Sequence, residues 1–169
     1  MPQHPDYASM AAQVRSLAEG DPRWLPLLAN IAALIAESLD DVSWAGFYLL
    51  ADGDAPAREL VLGPFQGPLA CTSIPWGKGV CGTAAEADET QLVANVLSFP
   101  GHIACDASSR SEVVVPVHGD GGRGGVVAVL DLDSHSPARF SSDDAAGLEL
   151  VMRALEEGIR WDWQPGFGR

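Results

Sequence analysis

Three thiols and a small set of acidic side chains are the residues of this 169-residue chain whose types and spacing could do chemistry. Cys71, Cys81 and Cys105 form no C-x-x-C pair, and His4, His102, His118 and His135 show no zinc-helix or finger spacing. A metal site would have to be assembled from distant segments, so neither a metal nor another cofactor is expected. An odd number of cysteines in a chain large enough to fold without staples also argues against a disulfide framework. Cys71 and Cys81 read most simply as small apolar residues on a strand and a short helix. Cys105 differs, because Gly101-His102-Ile103-Ala104-Cys105-Asp106 falls in an irregular stretch, and loops seldom enter a core. Redox work at an accessible thiol needs a thiolate of lowered pKa, a second thiol to trap a sulfenic acid, and a proton source for a departing oxygen.

Carboxylates that could supply the proton are Glu112, which opens a strand just after that stretch, and Asp131 and Asp133, which close another at one parity. If the two strands pair across a hairpin, Glu112 lies near both; the plain alternative is three solvated strand-end charges. Trp44 and Tyr48, four apart, share a strand face and read either as ordinary core or as a wall for an apolar or soft ligand group. Two segments match G-x-G-x-x-G, at Gly77/Gly79/Gly82 and Gly119/Gly121/Gly124. The second sits between two strands instead of opening a helix; the first leads into a short helix but lacks a second parallel strand and a ribose-binding acid, and neither has the Lys-Ser/Thr pair of a phosphate loop, so both read as turns.

The elements that must position these residues can be read from periodicity. Leu27, Leu28, Ile31, Leu34 and Ile35 make a helical stripe over Pro22–Leu39, with Asp21 as N-cap, and a shorter helix precedes it around Tyr7–Leu17. Ser43–Leu50 reads as a central strand, apolar on both parities, followed by a turn at Asp52-Gly53. Short strands are expected at Glu59–Leu62, Leu69–Ile74 and Gln91–Val93, broken by Gly63-Pro64, Gly67-Pro68 and Pro75, with a helix over Val80–Ala87. Glu112–Val117 and Gly125–Asp133 flank the Gly-rich hairpin loop. Asp143–Arg160 carries Leu148, Val151, Met152, Leu155 and Ile159 at helical spacing, and Ser141 with Asp144 imitates a capping box. The arrangement predicts an α+β domain, a mainly antiparallel sheet with terminal helices on one face. Asn95–Ser111 is the long irregular segment, of a length usually functional or mobile in a compact domain.

Composition sets the outer limits. Ten Lys+Arg against 23 Asp+Glu give a net charge of −13, a field that repels phosphate backbones and anionic lipids, so neither nucleic acid nor a membrane is an expected partner. No apolar run reaches the roughly 20 residues of a membrane span, and Met1–Asp6 lacks the basic flank and apolar stretch of a signal peptide, which leads to the expectation of a cytoplasmic protein. The length fits one domain over residues 1–169: helices at about 7–39, sheet and loop at about 43–134, and a helix at about 143–160.

Phe99-Pro100-Gly101-His102-Ile103-Ala104-Cys105-Asp106, with Ser109, Ser111 and Glu112-Val113-Val114-Val115-Pro116, resembles the signature loop of the free methionine-(R)-sulfoxide reductases, stand-alone GAF-domain enzymes. The likeness continues through Trp44-Ala45-Gly46-Phe47-Tyr48, Gly63-Pro64-Phe65-Gln66-Gly67, Cys71, Gly77-Lys78-Gly79-Val80-Cys81-Gly82 and Leu130-Asp131-Leu132-Asp133-Ser134. It implies a single GAF domain in which Cys105 attacks the sulfoxide sulfur of free methionine (R)-sulfoxide and becomes a sulfenic acid. Cys71 is then the usual resolving thiol, with Cys81 as an alternative or a participant in disulfide exchange, and thioredoxin reduces the product. The same resemblance assigns Glu112, Asp131 and Asp133 to the substrate ammonium and sulfoxide oxygen, and Trp44 and Tyr48 to its methyl end. Which carboxylate donates the proton and what binds the substrate carboxylate stay open, with backbone N–H groups near Gly79–Cys81 as one option. A homodimer is also left open. The alternative function is a non-catalytic GAF sensor whose ligand fills the same pocket and whose cysteines report redox state.

Overall fold

The computed structural model describes residues 5–51 and 58–164. Helices α1 (Tyr7–Gly20) and α2 (Trp24–Ser38) lead into β1 (Trp44–Leu50), β2 (Glu59–Gln66) and β3 (Ser73–Pro75). Then come α3 (Gly79–Ala87), β4 (Gln91–Val93), β5 (Ser111–His118), β6 (Val126–Ser134) and α4 (Ser142–Gly158). The strands form one six-stranded sheet in the order β3-β2-β1-β6-β5-β4, and every neighbouring pair is antiparallel. The fold is α+β, as the sequence pattern predicts.

Alternation along the central strands divides the apolar residues between two layers. Ala45 and Phe47 of β1, Val113, Val115 and Val117 of β5, and Ala128, Leu130 and Leu132 of β6 pack against α1, α2 and α4. The opposite parity, including Trp44, Tyr48, Val114 and Val129, packs with Val80, Cys81, Ala84 and Ala85 of α3. The terminal helices therefore share one face and α3 covers part of the other.

Helix α4 starts at the anticipated capping box, Ser141 and Asp144 satisfying each other's backbone N–H groups. Other local expectations fail for identifiable reasons. Asp21 does not cap α2, which starts after Arg23 without a side-chain cap; Asp21 instead ends α1 and holds the Arg23 backbone and guanidinium. Gly63-Pro64 does not end β2. Only Glu59–Val61 pair with β3, and the β1 pairing slips between Gly46 and Tyr48, so Pro64 sits where a missing N–H leaves no ladder bond unmade. The expected strand over Leu69–Ile74 forms only from Ser73 and runs on to Pro75, which leaves Cys71 in the irregular segment before it. The Asp52-Gly53 turn and His4 lie outside the described residues.

Candidate active site

Cross-strand register brings the acidic residues together. Glu112 stands opposite Asp133 across β5 and β6, and Trp44 and Gly46 stand opposite Asp133 and Asp131 across β1 and β6. All of these belong to the sheet face that α3 covers, and α3 supplies Cys81 to the same cavity. Gly46 makes the aromatic wall fit: a Cβ there would overlap Phe65, whose ring stacks on Trp44 at 5.3 Å between centroids, and Trp44 stacks on Tyr48 at 5.8 Å.

The carboxylates are not solvated strand ends. Glu112 and Asp131 are each 5% exposed and Cys81 is 3% exposed. The Cys81 thiol donates to Glu112 Oε1 across 3.9 Å, whereas buried Asp131 Oδ1 has no protein partner among the described residues. Burial pushes Glu112 well above the ordinary carboxyl range, and the charges of Asp131 and Asp133 push it further. Asp131 rises from burial and the Asp133 charge, and burial lifts Asp133 to about 6. Cys81 is held as a thiol, by burial first and then by Asp131 and Glu112. No Lys or Arg lines this cavity among the described residues. The site is a buried acid cluster without a protein counter-charge, an expensive arrangement that a bound cation or shared protons would relieve.

The other two thiols sit at the cavity's margin. Cys71 is half-buried and Cys105 exposed, and their sulfurs are joined in a disulfide with 5.3 Å between Cα atoms, across 34 residues of sequence. The Tyr48 hydroxyl donates to the Cys71 carbonyl at 3.0 Å, so one aromatic residue both walls the cavity and holds the segment that carries Cys71. On the Cys105 side, Asp106 accepts from the Ser108 N–H at 2.8 Å and lies 2.9 Å from His135 Nε2. The free space in this partly open cavity is about 40 Å³, room for a few water-sized groups and less than an amino acid fills.

Geometry adds residues that spacing alone did not single out. His102 lines the cavity with a buried Nδ1 that has no protein partner among the described residues, and burial lowers its pKa, which favours the neutral ring. Ile103 packs against Gly79, where a positive φ of 62° turns the chain into α3. That turn confirms the modest reading of the first glycine segment, and no side chain caps the first turn of α3 beside the cavity. Ser109 is buried at the wall, and Pro68-Leu69-Ala70 complete it, with Leu69 91% exposed. The only sequence signal for His102 and Ser109 is their place in the quoted loop.

Similarity to known proteins fits this architecture. A family model described as GAF domain matches residues 27–160. The free methionine-R-sulfoxide reductase of Escherichia coli is 44% identical over 151 residues, covering 89% of this chain and 87% of that protein. The crystal structure of free methionine-R-sulfoxide reductase from Neisseria meningitidis in complex with its substrate superposes with a TM-score of 0.82 at 43% identity, covering 90% of this chain and 87% of that one. The reduced form of the Staphylococcus aureus enzyme gives 0.84 at 42% identity, with 94% and 97% covered.

Proposed function

The chain belongs to the GAF-domain free methionine-R-sulfoxide reductases, and from that premise we propose how it reduces free methionine (R)-sulfoxide to methionine. The Cys105 thiolate attacks the sulfoxide sulfur, and the oxygen passes to Cys105 as a sulfenic acid while methionine leaves. The Cys71 thiolate then attacks the sulfenic sulfur, a disulfide forms, and water departs with the added proton. The observation that carries this reading is the Cys71–Cys105 disulfide at the edge of a buried acid cluster, the product such a cycle leaves behind. Cys71 resolves first in this scheme, and Cys81, buried below the pair, enters only by exchange.

The substrate ammonium supplies the counter-charge that Glu112, Asp131 and Asp133 lack, and their raised affinity for protons suits one of them to protonate the leaving oxygen. Trp44 and Tyr48 face the methyl and sulfur. Backbone N–H groups at the uncapped start of α3 take the substrate carboxylate. The free space in the cavity, about 40 Å³, is less than methionine sulfoxide fills, so in this scheme reduction of the disulfide and a shift of the loop precede the next turnover. Thioredoxin is the proposed reductant and the cytoplasm the proposed setting; the described helices include none long and apolar enough to cross a membrane. The chain works as one domain over residues 1–169, and a homodimer is its proposed assembly.

The test is methionine formation from separate R and S sulfoxides with dithiothreitol, and with thioredoxin as reductant. Turnover of the R epimer alone is expected, and absence of turnover would favour a non-catalytic GAF sensor. N-acetyl-methionine (R)-sulfoxide should react roughly a hundredfold less efficiently or worse, because an acylated nitrogen leaves the acid cluster unpaired, a cost of about 3 kcal/mol or more.

A further inference from the structure

Cys81 contributes neither to the disulfide nor to the first resolving step, yet it is buried against Glu112. Its Sγ and one carboxylate oxygen each from Glu112 and Asp131 lie within 4.8 Å of one another. Three segments far apart in sequence, on α3, β5 and β6, thus deliver a thiol and two carboxylates to one point. An independent sign of an unmet ligand is Asp131 Oδ1, buried and without a protein partner at the same cavity.

We propose that Cys81, Glu112 and Asp131 form a binding site for a thiophilic divalent cation of the Zn²⁺ class, filled in the disulfide form of the protein and inhibitory to turnover. A tetrahedral site with metal–sulfur and metal–oxygen bonds of ordinary length has donors about 3.5 Å apart. The Cys81–Glu112 separation of 3.9 Å is already close to that value, and with all three donors within 4.8 Å of one another the site closes by side-chain shifts of about 1 Å. Three protein donors leave the fourth position to a water or hydroxide. The thiol selects against Mg²⁺ and Ca²⁺, which prefer oxygen-only shells, and favours Zn²⁺ and its analogue Co²⁺.

Size and charge both favour the disulfide form. Its cavity of about 40 Å³ is smaller than an amino acid but has room for an ion and a water, and among the described residues no Lys or Arg lines it. On binding, the Cys81 sulfur–hydrogen bond is replaced by a sulfur–metal bond and the proton leaves to solvent, with no change in oxidation state. Inhibition rests on the reading of the acid cluster as the ammonium subsite: a cation that stays bound when the disulfide is reduced holds the oxygens that the substrate ammonium needs.

The experiment uses the full chain with the Cys71–Cys105 disulfide intact, so Cys81 is the sole free thiol available to a metal. Titration with Co²⁺, followed by Zn²⁺ displacement, should give one equivalent with a thiolate-to-cobalt charge-transfer band and intense tetrahedral d–d bands. Cys81→Ser should abolish the charge-transfer band. Glu112→Gln, which keeps the thiol, should weaken binding by about 10-fold to 100-fold or more. A wild-type spectrum without the thiolate band, or the same affinity in Glu112→Gln, would overturn the site. Turnover of the free R-sulfoxide by chelator-treated enzyme is measured separately. Activity with a silent cobalt spectrum sinks the cation site alone, and a bound cation without activity sinks the reductase reading alone.

Discussion

The two faces of the sheet are built by opposite rules. Toward α1, α2 and α4 the layer is apolar, Phe47, Leu130, Leu132, Leu148 and Val151 are fully buried, and the buried acids of α4, Asp144 and Glu156, have hydrogen-bond partners. Toward α3 the same strands bury two carboxylates, a third at their edge, a thiol and an unpartnered imidazole nitrogen. The first face holds the fold together by apolar burial, whereas the second combines apolar packing with buried acids whose charged forms are penalised. A sheet closed firmly on one side can carry a strained chemical site on the other. Departures from good packing therefore mark function here.

Substitutions can break this contrast or sharpen it. The largest effect expected is Cys105→Ser, which should bring turnover to background even with dithiothreitol, while far-UV circular dichroism stays that of the parent protein. Near-normal turnover would move the nucleophile elsewhere. On the opposite face Leu148→Ala should cost about 3 kcal/mol in denaturant unfolding, the usual penalty for emptying a fully buried leucine site. Its kcat/KM at temperatures where it stays folded should barely change. If that variant loses activity before stability, the faces are not separable.

Asp133→Asn should do the reverse, gaining on the order of 1–2 kcal/mol at neutral pH by removing a buried charge, and losing catalytic efficiency on the free R-sulfoxide. Loss of both stability and activity would mean that Asp133 has a structural partner in solution. The smallest effect belongs to His118, which joins the two faces: Nδ1 lies 2.8 Å from Glu156 of α4, and Nε2 lies 2.6 Å from Asp88 at the end of α3. Partial burial lowers its pKa, but the two carboxylates outweigh that and raise it above 6.5. A raised folded pKa means that the stabilisation is complete below the unfolded value and is lost as pH climbs through the folded one. The melting-temperature gap between wild type and His118→Gln should thus narrow from mildly acidic to alkaline pH; a constant gap would show that the pairing does not depend on charge.

Sequence by itself determined whatever repeats along one segment. The Leu and Ile stripe of α2, the capping box of α4 and the parity that separates Trp44 and Tyr48 from Ala45 and Phe47 are local patterns, and each could be read before any contact was known. The signature around Cys105 was legible in the same way, as was the shared parity of Asp131 and Asp133. Tertiary structure decided the rest, because burial and proximity are properties of segments that meet. Whether Glu112, Asp131 and Asp133 face water depends on α3 lying over them, and whether Gly63-Pro64 breaks β2 depends on where β3 stops. That Cys71 leaves its expected strand and meets Cys105 across 34 residues, while Cys81 is buried against Glu112, follows from the sheet register and the loops above it. No spacing rule could give that pairing, since chain separation fixes only how far two thiols can stray, and packing fixes where they stop.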